Sequence, residues 1–108
     1  MSKFTTTQNK GFQMKFKNGF KISVQWGTMN YCEKKNLGAD FDDEMKKPFW
    51  ESRNAEIAVF DKDGDFISLV TDDAVIGWVS TDDVAKCISI VQSSTTKKEI
   101  ETKIKNIL

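Results

Sequence analysis

The chain is 108 residues long, 39% hydrophobic and 30% charged, with a formal net charge of zero. That length fits one domain, and three Trp and eight Phe supply enough apolar surface for a core without disulfide or metal staples. Histidine is absent, which removes Ser-His-Asp and Cys-His catalysis and most zinc sites together.

Other counts narrow the field further. Arg53 is the only arginine, against fifteen lysines. Bidentate reading of phosphate or guanine favours Arg, so nucleic acid is disfavoured as a partner. No stretch approaches the ~20 apolar residues that span a bilayer. The opening MSKFTTTQNKGF has no apolar leader segment. A cytoplasmic protein is expected, with Cys32 and Cys87 as reduced thiols. The charge is uneven: residues 1–32 hold five Lys and no acid, whereas residues 48–85 hold nine acids against Arg53 and Lys62. Such a dipolar surface can steer partners.

In chain order, residues 1–10 are polar and expected to fray. Phe12, Met14 and Phe16 alternate with polar residues, and so do Phe20, Ile22, Val24 and Trp26. Asn18-Gly19 between the two runs marks a hairpin, with both apolar rows facing the core. Residues 27–47 read as a long irregular connection, a length that is often functional. Residues 55–60 and 65–70 form a second hairpin around Asp61-Lys-Asp-Gly64, and residues 74–79 a further strand. Ser80 and Asp83 have cap spacing, and Val84, Cys87, Ile88 and Val91 place a helix over 81–92. Thr96 and Glu99 have capping-box spacing before a final helix with an Ile100, Ile104, Ile107 and Leu108 stripe. The expectation is a single α+β domain: an antiparallel sheet of about five strands, two hairpins plus one, followed by one or two helices.

Several constellations bear on chemistry. Asp61, Asp63 and Asp65 alternate as in a calcium loop, but the glycine is at the fourth position, not the sixth, and no Glu closes the loop at the twelfth, so a hairpin turn is the better reading. Lys3, Lys10, Lys15, Lys17 and Lys21 can be a phosphate patch or the solvated side of a sheet, and their alternation favours the latter. Trp26, Asn30, Tyr31 and Cys32 at a strand end suit a ligand or partner rim, where Trp26 and Tyr31 could stack on a flat nucleotide-type molecule. Asp40, Asp42, Asp43 and Glu44 form an acidic run that could meet a basic partner. Cys32 lacks a base and is not expected to act as a nucleophile. No catalytic residue, metal site or cofactor is expected. The terminal stripe leaves a homodimer through the C-terminal helix open.

The runs FKNGFKISVQWGTMNYC (16–32), WESRNAEIAVF (50–60) and GWVSTDDV (77–84) resemble a family of short, mostly uncharacterised proteins of bacteriophages, prophages and plasmids. The likeness spans roughly residues 12–92, and its distinctive part is an N-G-x-x-x-S-V-Q-x-G-x-x-N-Y-C core. The resemblance implies a mobile-element origin and a small accessory protein that binds a host or anti-phage defence component, and it carries over no functional residue.

Overall fold

The structure is a computed structural model that describes residues 2–8, 10–35, 41–69 and 74–108. Alternation sets its central strands. β2 (Gly11–Lys15) and β3 (Lys21–Gln25) pair antiparallel with Phe12 opposite Val24 and Met14 opposite Ile22. β4 (Asn54–Phe60) continues the sheet, placing Ile57 opposite Val24 and Val59 opposite Ile22. These rows face one side, and Ile22, Ile57 and Val59 are wholly buried.

Both hairpins turn through the same three-residue loop. In the first, Phe16 N donates to Phe20 O at 2.9 Å, Gly19 N donates to Phe16 O at 2.9 Å, and Gly19 sits at φ +92°. In the second, Asp61 N donates to Asp65 O at 2.8 Å, Gly64 N donates to Asp61 O at 3.1 Å, and Gly64 sits at φ +86°. A left-handed residue closing such a loop favours glycine. The sequence writes the device twice, as F-K-N-G-F (16–20) and D-K-D-G-D (61–65).

The returning strand is shorter than expected. β5 is Phe66–Ile67 alone, and β6 (Val75–Ser80) follows it along the same edge of β4. The register passes from Val59 opposite Ile67 to Ala58 opposite Val75, and Val70 lies outside the described residues. Among the described residues all the pairings are antiparallel, in a sheet of six strands. The expectation of a frayed start is corrected: Lys3–Thr6 form β1, an edge strand with Phe4 opposite Met14. Phe4, Thr5 and Thr6 are strand-favouring residues, and β2 offers them a free edge.

Within the 27–47 connection a short helix, α1 (Phe41–Met45), is present. α2 (Thr81–Ser93) and α3 (Lys97–Ile107) follow the sheet, and both start at side-chain caps. The Ser80 hydroxyl accepts from Asp83 N and the Thr96 hydroxyl from Glu99 N, each at 3.2 Å. Cys87 and Val91 of α2 and Ile100 and Ile104 of α3 join the buried sheet residues in one core. The terminal stripe is therefore spent largely within the chain, leaving Leu108 exposed at its end.

Two contacts seat the helices. Asn18 Nδ2 donates to Val91 O and Ser94 O, both at 2.8 Å, and its Oδ1 accepts from Phe20 N at 3.1 Å. The first hairpin turn thus caps the carbonyl end of α2. In the second turn Asp61 Oδ1 accepts from Asp63 N and Asp65 N, while Oδ2 pairs with Lys97 Nζ at 2.9 Å at the start of α3. The Lys97 ammonium and the turn's amides hold the Asp61 carboxyl below the usual aspartate range.

Two predictions follow from these seats. Asn18→Asp keeps the shape and the bond to Phe20 N but turns an acceptor toward helix carbonyls. It should cost about 1–3 kcal/mol in urea denaturation, through unmade bonds and an adverse helix-end charge. A loss of a few tenths would remove Asn18 as the link. The second concerns acid. Asp61 is lowered, and Glu99 is lowered to about 2, chiefly by Lys103 and then by Thr95 N–H. Both bind protons less readily folded than unfolded, so their stabilisation is present above the ordinary carboxylate pKa of about 4. It should fade as pH falls through the lowered values, and Asp61→Asn should flatten that acid limb of a stability–pH curve.

Candidate functional site

α2 and α3 cover one face of the sheet, so the other is left without a helical layer. Register places two rows across this face. The first is Lys3, Lys15, Lys21, Phe60 and Phe66, one residue from each successive strand from β1 to β5. The second is Thr5, Gln13, Ser23, Ala58 and Val75, a low floor of small or neutral polar residues. Beyond it come Gln25 and Glu56, where the connection after β3 crosses the sheet.

That crossing is held by polar bonds. Asn30 Oδ1 accepts from Gly27 N at 2.9 Å, and its Nδ2 donates to Glu56 Oε1 at 3.3 Å. Glu56 Oε2 accepts from Tyr31 N at 2.9 Å. Glu33 N donates to Asn54 Oδ1 at 2.7 Å, and Glu33 pairs with Arg53 at 2.9 Å. Cys32 is buried, with its thiol 3.5 Å from Gly27 O.

Opposite Glu56 the ladder is irregular. Ala55 pairs with Val79 but Ile57 with Ile76, so Gly77 and Trp78 together face Glu56 in a bulge. A side chain at Gly77 would meet Tyr31 Cβ at 2.5 Å, which requires glycine there. Trp78 N donates to Tyr31 O at 2.8 Å, and Trp78 takes φ +52°. A bulky residue in the left-handed region is an outlier that costs of order 1 kcal/mol or more. Trp78 nevertheless remains 58% exposed and Tyr31 46% exposed.

The result is two aromatic pairs on one face, each with a lysine. Tyr31 and Trp78 have ring centroids 5.7 Å apart, with Lys35 Nζ 4.9 Å from the Tyr31 ring. Phe60 and Phe66 are 4.6 Å apart, with Lys21 Nζ 4.6 Å from the Phe60 ring. Glu56 and Phe60 are four residues apart on β4, so the pairs stand ~13 Å from one another.

The structure divides the residues that sequence grouped together. Asn30, Tyr31 and Cys32 belong to this corner, Asn30 and Cys32 as its buried supports and Tyr31 as its exposed ring. Trp26 lies apart on the helix side, edge-on to Phe12 at 6.2 Å, with Nε1 donating to Trp50 O at 2.8 Å. It lines an apolar pocket of about 350 Å³ with Phe12, Trp50, Val79 and Val84. One flat ligand therefore does not stack on Trp26 and Tyr31 together.

The acidic run divides too. Asp42 and Asp43 are exposed on α1, and Asp40 lies outside the described residues. Glu44 is buried between Lys47 at 2.9 Å and Lys34 at 3.2 Å. Those ammonium groups, Lys47 first, hold its carboxyl below the usual range. Its charge is already met within the chain.

Trp78, Phe60, Phe66 and Glu56 are not singled out by the sequence. Gly77-Trp78 inside a strand was the available signal, since an interior glycine marks a bulge or a close approach. Among the described residues no group of three or more His, Cys, Asp or Glu could hold a metal ion. Burial, and then the Asp83 charge, push the Cys87 thiol up to about 11, which suits a core residue and not a nucleophile. No protein-family model, curated protein or solved structure matches this chain, so the site is read from its own geometry.

Trp78→Gly should change stability by less than about 1 kcal/mol, because relief of the left-handed backbone offsets the lost Tyr31 contact. Ile57→Ala, in the buried row, should cost about 2–5 kcal/mol in the same urea titration. A Trp78→Gly loss of the size of Ile57→Ala would make Trp78 a structural residue instead of a displayed one.

Proposed function

We propose that this protein acts by binding, without catalysis, as a small accessory protein of a mobile element that inhibits or redirects a host or defence component. Its contact surface is the open sheet face, centred on the Tyr31–Trp78 corner. The carrying observation is Trp78 itself: a large aromatic that is mostly exposed yet held on a left-handed backbone. Local strain kept at a solvent-facing aromatic is the pattern of a functional position. Trp and Tyr are also the residues that most often dominate binding energy at an interface.

Support comes from how the corner is built. Glu56 spends both carboxylate oxygens on the Asn30 amide and the Tyr31 N–H, which fixes the crossing before a partner arrives. A preorganised surface loses less side-chain and loop entropy on binding. The mobile-element setting comes from the resemblance of residues 12–92 to short phage and plasmid proteins, and it is an inference by likeness.

A second reading rests on the pocket beside Trp26 and Trp50. Its volume, about 350 Å³, falls at the small end of ligand sites. The walls formed by Phe12, Val24, Trp26, Val79 and Val84 suit an apolar molecule better than a nucleotide. Trp26 remains a candidate ligand residue on this reading, and Tyr31 does not.

The test is capture from host lysate by tagged protein, with native mass spectrometry of the eluate, comparing wild type, Trp78→Ala, Tyr31→Ala and the pair Asp42→Lys with Asp43→Lys. The expected outcome is a partner retained by the α1 pair and reduced at least tenfold by Trp78→Ala. A partner lost only with the Asp42 and Asp43 changes would move the contact to α1. A bound small molecule with no partner would favour the Trp26 pocket.

A further inference from the structure

We infer that the open sheet face binds single-stranded nucleic acid, with phosphates along the Lys3–Lys15–Lys21 row and bases on the flanking aromatic pairs. The inference rests on the binding reading above and names the partner class for the same surface.

The first observation is charge placement. Lys3 is opposite Lys15, and Lys15 is opposite Lys21, so three ammonium groups occupy adjacent cross-strand positions. Like charges directly opposite on a sheet repel. The described ion pairs use Glu33, Glu44, Asp61, Asp83 and Glu99, and none of them reaches Lys3, Lys15 or Lys21. The strands that carry this row lie within residues 1–32, which hold no acid. An arrangement of this kind is relieved by a bound polyanion.

The second observation is shape. These lysines line a trough of about 480 Å³ with Thr5, Gln13 and Lys62. The Lys62 stem lies against Gly19, where a side chain would meet its Cγ at 2.6 Å. Asp61 and Asp63 also line the trough; the charge of Asp61 is paired with Lys97, which leaves Asp63 as the acid that opposes the four lysines. Beside the trough Ser23 and Ala58 are small and themselves buried, so the accessible surface is the trough and the side chains that rim it.

The third is the aromatic flank. The lysine row runs directly into Phe60 and Phe66, the latter 55% exposed, and Tyr31–Trp78 stands on the same face. From Lys3 to Phe66 the row crosses four strand spacings, ~19 Å. A basic groove that tracks the backbone, with rings that accept any base, is how single strands are bound without sequence preference. A duplex hides its base faces and would leave the rings unused. Lysines supply charge without the planar fork that reads guanine, so the scarcity of arginine limits sequence reading more than binding. That scarcity alone disfavours nucleic acid, and the cross-strand lysine register is what restores it.

The experiment is fluorescence anisotropy with a labelled 12-residue oligo-dT, its mixed-sequence counterpart, the matching duplex and heparin as competitor, over a range of salt. Wild type should prefer either single strand to the duplex, with a salt slope of about −2.8 if the row's three lysines and Lys62 all engage phosphates. Lys15→Gln with Lys21→Gln should weaken binding at least tenfold and halve that slope, with an unchanged circular dichroism spectrum. Phe66→Ala should weaken binding about 5- to 150-fold at constant slope. Absence of oligonucleotide binding at low salt by folded protein overturns the inference. So does binding that ignores Phe66→Ala and prefers heparin, which would be charge alone. If protein capture still depends on Trp78 in that case, the binding reading stands and its partner is a protein. If neither oligonucleotide nor captured partner responds to any of these variants, both fall.

Discussion

The amide of Asn18 ties the first hairpin turn to the carbonyl end of α2, and the arrangement of the layers depends on it. A helix end leaves its last carbonyls without intrahelical partners, and burying them unmet is costly. Here the α2–α3 junction is partly buried: Ser94 is 1% exposed, its hydroxyl donates to Ile90 O at 2.6 Å, and its own carbonyl accepts from Asn18. The second turn answers from the other side, with Asp61 on Lys97. Two copies of one loop, each with a polar residue projecting from it, therefore grip the two helices where they meet. The turns set the strand register and seat the helices in one stroke.

With α2 and α3 committed to one face, the opposite face is crossed by the connection after β3 at one end and carries neither of these helices. An antiparallel sheet tolerates this when the bare side is polar, and β1 to β3 comply with Lys, Thr, Gln and Ser. The β4 to β6 half does not. Phe60, Phe66 and Trp78 put aromatic surface where solubility alone would place charge, and Trp78 does so against a backbone preference. Packing on the helix side gives no reason for these three, because they point away from it. The contact proposed for the open side would.

Local signals carried most of the fold in the sequence. The alternating runs, the two Gly-closed turns and the caps at Ser80 and Thr96 are short-range features, and the strands and helices fall close to where those signals put them. β1 was missed because its Thr- and Lys-rich composition reads as a tail until β2 offers an edge. β5 came out short because register, not propensity, decides where pairing with β4 stops. The corner was half legible. Tyr31 and Asn30 were visible as a polar-aromatic strand end, but their dependence on Glu56 spans about 25 positions of sequence. Neither the left-handed turn at Trp78 nor the separation of Trp26 from Tyr31 by the thickness of the sheet leaves any periodic trace. The division of the acids is hidden for a related reason. Asp61 and Glu44 count as surface charge in the sequence, but they are internal partners of Lys97, Lys47 and Lys34.

That internal pairing also explains how a neutral chain can carry a basic face. Acids and lysines balance over the whole molecule, but the acids with ion pairs are spent on the crossing loop, the second turn and the helices. The β1–β3 lysines are left facing one another. At physiological salt the screening length is ~8 Å, comparable with the reach of a cross-strand row and much shorter than the domain. What an approaching chain meets there is the local row, not the zero net charge. A protein of this size can therefore be electrically neutral in solution and still present a lysine track, ending in a tilted pair of phenylalanines, on the face opposite α2 and α3.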